Sequence, residues 1–239
     1  MLNGKIALVT GSSKRTGKAI AIALAKNGAD VAVHYNKSKK EAESVKKEIE
    51  KLGKRSITIK ADLSNPKEVE QMFKEIVKKF KKIDILVNNV GNFNSKNIDE
   101  YTTKEWNYLI DTTLNSTYYC CKFALPYMRK QRFGRIINIA DSSADRIQAF
   151  PKATPYMIGK TGVMTLTKTL AVTEAKHNIN VNAISPGVME NSVVKPDDEI
   201  PKKRFATYDD IINAVLFLLN KKSDYITGNN IKVSGGWRL

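Results

Sequence analysis

Tyr156 and Lys160 stand four residues apart at the opening of a helical run, Tyr156-Met157-Ile158-Gly159-Lys160. On a helix that spacing puts both side chains on one face, one turn apart. An ammonium beside a phenol favours the phenolate and draws its pKa down from roughly 10. A phenol tuned in this way can exchange a proton with an alcohol or carbonyl oxygen. The pair alone has a plainer reading, one buried tyrosine next to one solvated lysine. Two other features argue for chemistry: a glycine-bearing turn, Thr10 to Gly17, after the first apolar run, and Asn88-Asn89 after the fourth.

Apolar runs and helical periodicity alternate along the whole chain. Strands are expected at Lys5 to Thr10, Asp30 to Tyr35, Arg55 to Lys60, Ile83 to Asn88, Arg135 to Ala140, Asn180 to Ser185 and Asn230 to Val233. Helices are expected at Thr16 to Asn27, Ser38 to Leu52, from Asn65-Pro66 to Phe80, Thr103 to Lys130 with a kink at Pro126, Tyr156 to Ala175, and Tyr208 to Leu219. Such a βαβαβ order requires a mostly parallel sheet with helices on both faces. The 239 residues suit one α/β domain, a doubly wound Rossmann-type fold over 1–239, with no repeat or linker.

The formal net charge is +16. Lysines are interleaved with glutamates, as in Lys46-Lys47-Glu48-Ile49-Glu50-Lys51. That pattern describes solvated helix faces with i,i+4 pairs, so no nucleic-acid partner is expected. A general attraction for anionic ligands, or for an acidic carrier protein, remains. No apolar stretch is long enough to span a membrane, and no signal sequence is evident. Cys120 and Cys121 are adjacent on a helix, where a mutual disulfide is implausible and the spacing fits no metal site. A reducing cytoplasm and small buried thiols are expected.

The turn Gly11-Ser12-Ser13-Lys14-Arg15-Thr16-Gly17 can bring backbone N–H groups and a helix N-terminus to a pyrophosphate. After the second strand comes Asn36-Lys37-Ser38, without the acid that would bind a ribose 2′-hydroxyl. Lys37 and Ser38, with Lys14 and Arg15 nearby, suit a 2′-phosphate. NADP(H) is therefore the expected cofactor.

The turn is similar to the TGxxxGxG turn of the short-chain dehydrogenase/reductase family, with Arg15 at the middle glycine. The resemblance extends from Lys5 to Trp237. It implies that Asp62-Leu63 meets adenine, and that Asn88, Val90 and Gly91 line the cofactor ribose. It further implies that Pro186-Gly187, with Val188 and Met189, meets the nicotinamide carboxamide. Tyr156 would transfer the proton, and Lys160 would tune it and hold the nicotinamide ribose. A serine after the fifth strand would orient a small-molecule substrate, and an asparagine on the long helix would support a water relay. The assembly implied is a homo-oligomer, a tetramer or dimer.

Two positions depart from the family pattern. Counting from the fifth strand puts Asp141 at the serine; counting back from Tyr156 puts Ser143 there. Pteridine reductases carry an acid at this position, and Asp141 to Arg146 resembles their version. The same subgroup resembles Lys14-Arg15, the run His34 to Ser38, and an aromatic at Phe93 that would stack on a flat pterin ring. Thr113 replaces the asparagine; Asn115, two positions on, lies roughly 200° around the helix. A short substrate loop is expected at 188–203, with Met189, Val193 and Val194 as apolar contacts. The expected activity is NADPH-dependent reduction of a C=O or C=N bond, of a pterin-like substrate or of a ketone such as a 3-oxoacyl carrier thioester. A non-catalytic NADP-binding sensor is the alternative from another class.

Overall fold

A computed structural model describes residues 1–192, 195 and 200–238. Seven strands form one parallel sheet: β1 (Ile6–Val9), β2 (Asp30–Tyr35), β3 (Ser56–Lys60), β4 (Ile85–Asn88), β5 (Gly134–Ile139), β6 (Ile179–Pro186) and β7 (Asn230–Val233). Their order is β3-β2-β1-β4-β5-β6-β7, and every neighbouring pair is parallel. The chain winds outward from β1 to β3 and then restarts at β4 on the other side. The carboxyl ends of β1 and β4 therefore flank a crevice, the place where such sheets bind ligands.

All four residues of β1 are buried, as a strand covered on both faces requires. Successive residues feed opposite cores. Ala7 and Val9 pack with Ile20 and Leu24 of α1 (Arg15–Lys26), Val45 and Ile49 of α2 (Lys39–Lys51), and Val215 and Leu218 of α7 (Tyr208–Leu219). Ile6 and Leu8 pack with Phe73 and Ile76 of α3 (Pro66–Phe80), and with Cys120, Ala124 and Met128 of α5 (Ser116–Gln131). Phe73 is fully buried, and truncation to alanine would cost about 3–5 kcal/mol. Asn65 starts α3 by accepting from the Lys67 N–H at 3.1 Å, with Pro66 at the first helical position.

The expected single helix from Thr103 to Lys130 is divided. α4 (Thr103–Ile110) runs into a π-helical turn, Asp111–Asn115, before α5 begins. Pro126 lies inside α5, so the change of register is not at the proline. Its physical basis is a cluster of hydroxyls. Thr112, Ser116 and Thr117 donate to the carbonyls of Tyr108, Thr112 and Thr113 at 2.7, 2.9 and 2.9 Å. Side-chain donors of this kind satisfy carbonyls that a wider turn leaves open. The remaining helix, α6 (Thr154–Glu174), carries Tyr156 and Lys160. It is pinned to the sheet by a buried polar chain: Asn88 Nδ2 donates to Asn138 Oδ1 at 2.8 Å, and Asn138 Nδ2 to Thr167 Oγ1 at 2.9 Å.

Candidate active site

The turn after β1 is tied to three neighbouring strands. Thr10 Oγ1 accepts the backbone N–H groups of Asn89 and Val90 at 2.8 and 3.2 Å, and Asn89 Nδ2 donates back to the Thr10 carbonyl at 3.0 Å. Gly11, at φ +63°, donates its N–H to His34 Nδ1 at 2.9 Å. His34 Nε2 lies 3.0 Å from the Ala61 carbonyl, so the ring is neutral with its proton on Nε2. Burial lowers the His34 pKa to about 4 against the pull of that carbonyl and of Asp62. A buried histidine thus joins the ends of β1, β2 and β3, a role that no sequence spacing signalled.

Gly17 must be glycine, because a Cβ there would lie 2.4 Å from the Gly11 carbonyl oxygen. Arg15 takes the left-handed φ of +51° at the position where the family pattern has its middle glycine. An L-residue there costs about 1–2 kcal/mol. The first turn of α1 holds no acid, and no side chain caps it. The turn Ser13 to Thr16 therefore presents a positive helix end towards the crevice.

Two of the cations around this turn have partners within the chain. Lys14 pairs with Glu41 of α2 at 2.7 Å, a contact that competes with a 2′-phosphate for its charge. Arg15 Nη2 reaches the Asn191 carbonyl at 3.3 Å. Ser38 is the N-cap of α2, but its hydroxyl makes no capping bond. Asp62 accepts from the Ser64 N–H and hydroxyl at 3.0 and 2.7 Å. Burial opposes its ionisation, but bonds from Ser64 and Asn36 and the charge of Lys37 outweigh it and lower the pKa.

Several of the expected cofactor residues are buried. Leu63 belongs to the core beside α3. Asn88 Nδ2 donates to Asn138 Oδ1 and lies 3.4 Å from Cys121 Sγ, its Oδ1 is buried without a partner, and its backbone neighbours Asn89 to Gly91 form the rim. Val188 and Met189 are buried, Met189 within the core beneath α1 and α7. Gly187 is pressed against Ser234, whose Cα would be 2.8 Å from an added Cβ, while Pro186 accepts the Ser142 N–H at 3.1 Å. Val193 and Val194 lie outside the described residues.

The reactive groups meet at the ends of β4 and β5. The Tyr156 hydroxyl is 3.5 Å from Asp141 Oδ2, at the outer edge of hydrogen-bond reach. Asp141 Oδ1 accepts the Ser143 N–H at 2.9 Å, whereas the Ser143 hydroxyl is buried without a partner. Of the two alignments, the acid at 141 is the one facing the phenol. Lys160 Nζ donates to the Ile139 carbonyl at 2.6 Å and lies 3.1 Å from where a Gly91 side chain would begin. Phe93, half exposed, sets its ring edge-on to Tyr156 at 5.1 Å and 87°. Thr113 Oγ1 is buried without a partner, and the Thr113 side chain fills the notch left by Gly159, whose Cβ would lie 2.9 Å away.

The electrostatics reverse one expectation. Tyr156 is raised well above the ordinary phenol value, by burial first and then by the charge and contact of Asp141. Lys160 Nζ sits 5.6 Å from the Tyr156 ring centroid and does not offset this. Burial lowers Lys160 to about 8 against Asp141's attraction. Burial also raises Asp141, opposed by the Ser143 N–H and by the charges of Lys160 and Arg238. Arg238 is a residue that the sequence offered no means of placing here.

A parallel sheet with a glycine turn at its switch point, and a part-buried Tyr–Asp–Lys group beside it, is the arrangement of a nucleotide-binding oxidoreductase. The family model described as enoyl-(acyl carrier protein) reductase matches residues 12–238. The chain is 40% identical over 241 residues to the 3-oxoacyl-[acyl-carrier-protein] reductase FabG of Staphylococcus epidermidis, covering 97% of this chain and 98% of the relative. A 3-oxoacyl-[acyl-carrier-protein] reductase of Synechocystis sp. is 36% identical over 242 residues, covering 98% and 97%. Among solved structures, a blue fluorescent protein from a metagenomic library, in complex with NADPH, superposes with a TM-score of 0.92 at 30% identity, covering 100% and 99%. Acetoin dehydrogenase YohF of Salmonella typhimurium gives 0.90 at 29%, covering 98% and 95%. The chain belongs to the short-chain dehydrogenase/reductase family of oxidoreductases.

Proposed function

We propose that the protein uses NADPH to reduce the carbonyl of a 3-oxoacyl thioester or a related ketone. The observation that carries this reading is the approach of the Tyr156 hydroxyl to Asp141, 3.5 Å away, at the rim formed by Gly91 and Lys160. The similarity to 3-oxoacyl-[acyl-carrier-protein] reductases over nearly the whole chain supports the substrate class.

The residues fit a dinucleotide. The uncapped start of α1 and the turn Gly11 to Gly17 would take the pyrophosphate. Arg15, Lys37 and Ser38 would take the 2′-phosphate, and Asp62 would stand at the adenine. Asn89 to Gly91, Lys160 and the backbone from Pro186 to Met189 would face the nicotinamide half. When bound, NADPH supplies a hydride from its nicotinamide ring.

The chain's own groups do the rest. Burial and the neighbouring carboxyl keep Tyr156 a phenol, so its hydroxyl holds the proton that a carbonyl oxygen takes up on reduction. Asp141 fixes the direction of that hydroxyl and is itself fixed by the Ser143 N–H. Lys160, held by the Ile139 carbonyl, would add a donor and positive charge on the nicotinamide side of the site. The assembly we propose is a homo-oligomer.

A second reading, a pterin-like planar substrate, is favoured by one observation: Phe93 is half exposed and stands against Tyr156. An absorbance assay of NADPH against acetoacetyl thioesters, dihydrofolate, biopterin and quinonoid dihydropteridine separates the two. Turnover of the thioester alone is expected. Turnover of pterins alone would replace the first reading with the second, and turnover of neither class would leave the non-catalytic NADP-binding reading.

A further inference from the structure

Beyond Asp141 the chain builds a second feature. Arg146, Lys152 and Arg238 line an open cavity of about 580 Å³, together with Gln148 and Phe150. No acid lines it. Arg146 Nη2 donates to the Arg238 carbonyl at 2.7 Å, and the Arg238 guanidinium lies over the Trp237 ring at 4.3 Å, so two of the cations are held in place. Among the described residues no carboxylate forms an ion pair with any of the three. The nearby Asp145 is spent on Lys232 at 2.9 Å. Three like charges around one cavity repel one another, and an entering anion relieves that repulsion.

The cavity adjoins the reacting groups. Phe150, in its wall, packs on the same cluster as Tyr156, formed by Ala140, Ala144, Met157 and Met164. The charge of Arg238 also reaches the Asp141 carboxyl. A molecule presenting its carbonyl to Tyr156 can therefore extend a second group into this space.

We propose that the cavity holds an anionic group, a phosphate or a carboxylate, carried by the substrate away from the carbonyl being reduced. The proposal rests on the reductase reading above. A phosphate would belong to a nucleotide-bearing thioester, and a carboxylate to a longer oxo acid.

Four ketones test it with the NADPH-saturated enzyme, in two pairs: acetoacetyl-CoA against neutral acetoacetyl-N-acetylcysteamine, and 5-oxohexanoate against its methyl ester. In at least one pair the anionic member should have a kcat/KM about tenfold or more above its neutral partner. The favoured pair identifies the source of the anion. In Arg146→Gln and Arg238→Gln that ratio should fall towards one, while the distant exposed Lys222→Gln should keep it. No preference in the wild type, or a ratio unchanged in both arginine variants, overturns the proposal. If none of the four is reduced, the reductase reading fails on its own, and the cavity is then tested by binding. CoA titrated calorimetrically into NADPH-saturated enzyme should bind about tenfold more weakly to both arginine variants. Equal affinities would overturn the cavity as an anion site as well.

Discussion

Burial first, and then the charge and contact of Asp141, raise the Tyr156 phenol above its ordinary pKa. A carboxylate 3.5 Å from the hydroxyl disfavours a second negative charge and adds to the effect of burial. Asp141→Asn should therefore lower the Tyr156 pKa in an ultraviolet titration; an unchanged value would assign the whole shift to burial. The same contact decides between the two alignments. Asp141→Ala should reduce kcat by tenfold or more with NADPH affinity unchanged, on the scale of lost proton-transfer assistance. Ser143→Ala should do little, because that hydroxyl has no partner and only its N–H holds Asp141. A larger loss from Ser143→Ala than from Asp141→Ala would contradict the assignment.

At the scale of elements, the glycine turn is held from beneath by His34 and loaded from the side by Glu41. His34 has a folded pKa of about 4, below the 6.5 of an exposed imidazole. The unfolded chain therefore binds more protons between those values, so stability rises with pH there. The contribution is complete above about pH 6.5 and is lost as pH falls towards 4, a change of roughly 3 kcal/mol. Denaturant melts across this range should show that slope in the wild type and lose it in His34→Gln; equal slopes would remove His34 from the account. Glu41→Gln frees Lys14 and should strengthen NADPH binding, while Arg15→Ala should weaken it by about tenfold, since a charge-assisted contact contributes about 1.5–3 kcal/mol. Titration of NADPH and NADH into the three proteins measures both effects, and identical affinities throughout would exclude the pair from cofactor choice. The order and nature of the strands were legible in the sequence because buried parallel strands are written as unbroken apolar runs, as in Ile6 to Val9. Tyr208–Leu219 and Asn230–Val233 match the structure to the residue. The π turn at Asp111–Asn115 was not, since helical periodicity continues through it and only the hydroxyl run hints at it. Nor were the pairing of Lys14, the inward turn of Asn88 or the arrival of Arg238. Each depends on contacts between residues distant in the chain.

Over the whole molecule, the formal charge of +16 is spread across faces that pair lysines with acids, as Lys74 with Glu70 and Lys46 with Glu50. Any retention on DNA should vanish as salt approaches physiological strength and show no sequence preference; tight binding at that strength would demand a nucleic-acid role. Among the described residues no helix is long and apolar enough to cross a membrane. The sheet, its two cores and the pinned helix α6 converge on one place, the carboxyl ends of β4 and β5, where the Tyr156 hydroxyl meets Asp141. The most direct test follows NADPH absorbance with acetoacetyl-CoA for the wild type and Tyr156→Phe, with NADPH affinity measured in both. Oxidation of NADPH by the wild type, its loss in Tyr156→Phe by several orders of magnitude, and equal NADPH affinities are the predicted result. Undiminished turnover in Tyr156→Phe would contradict the account.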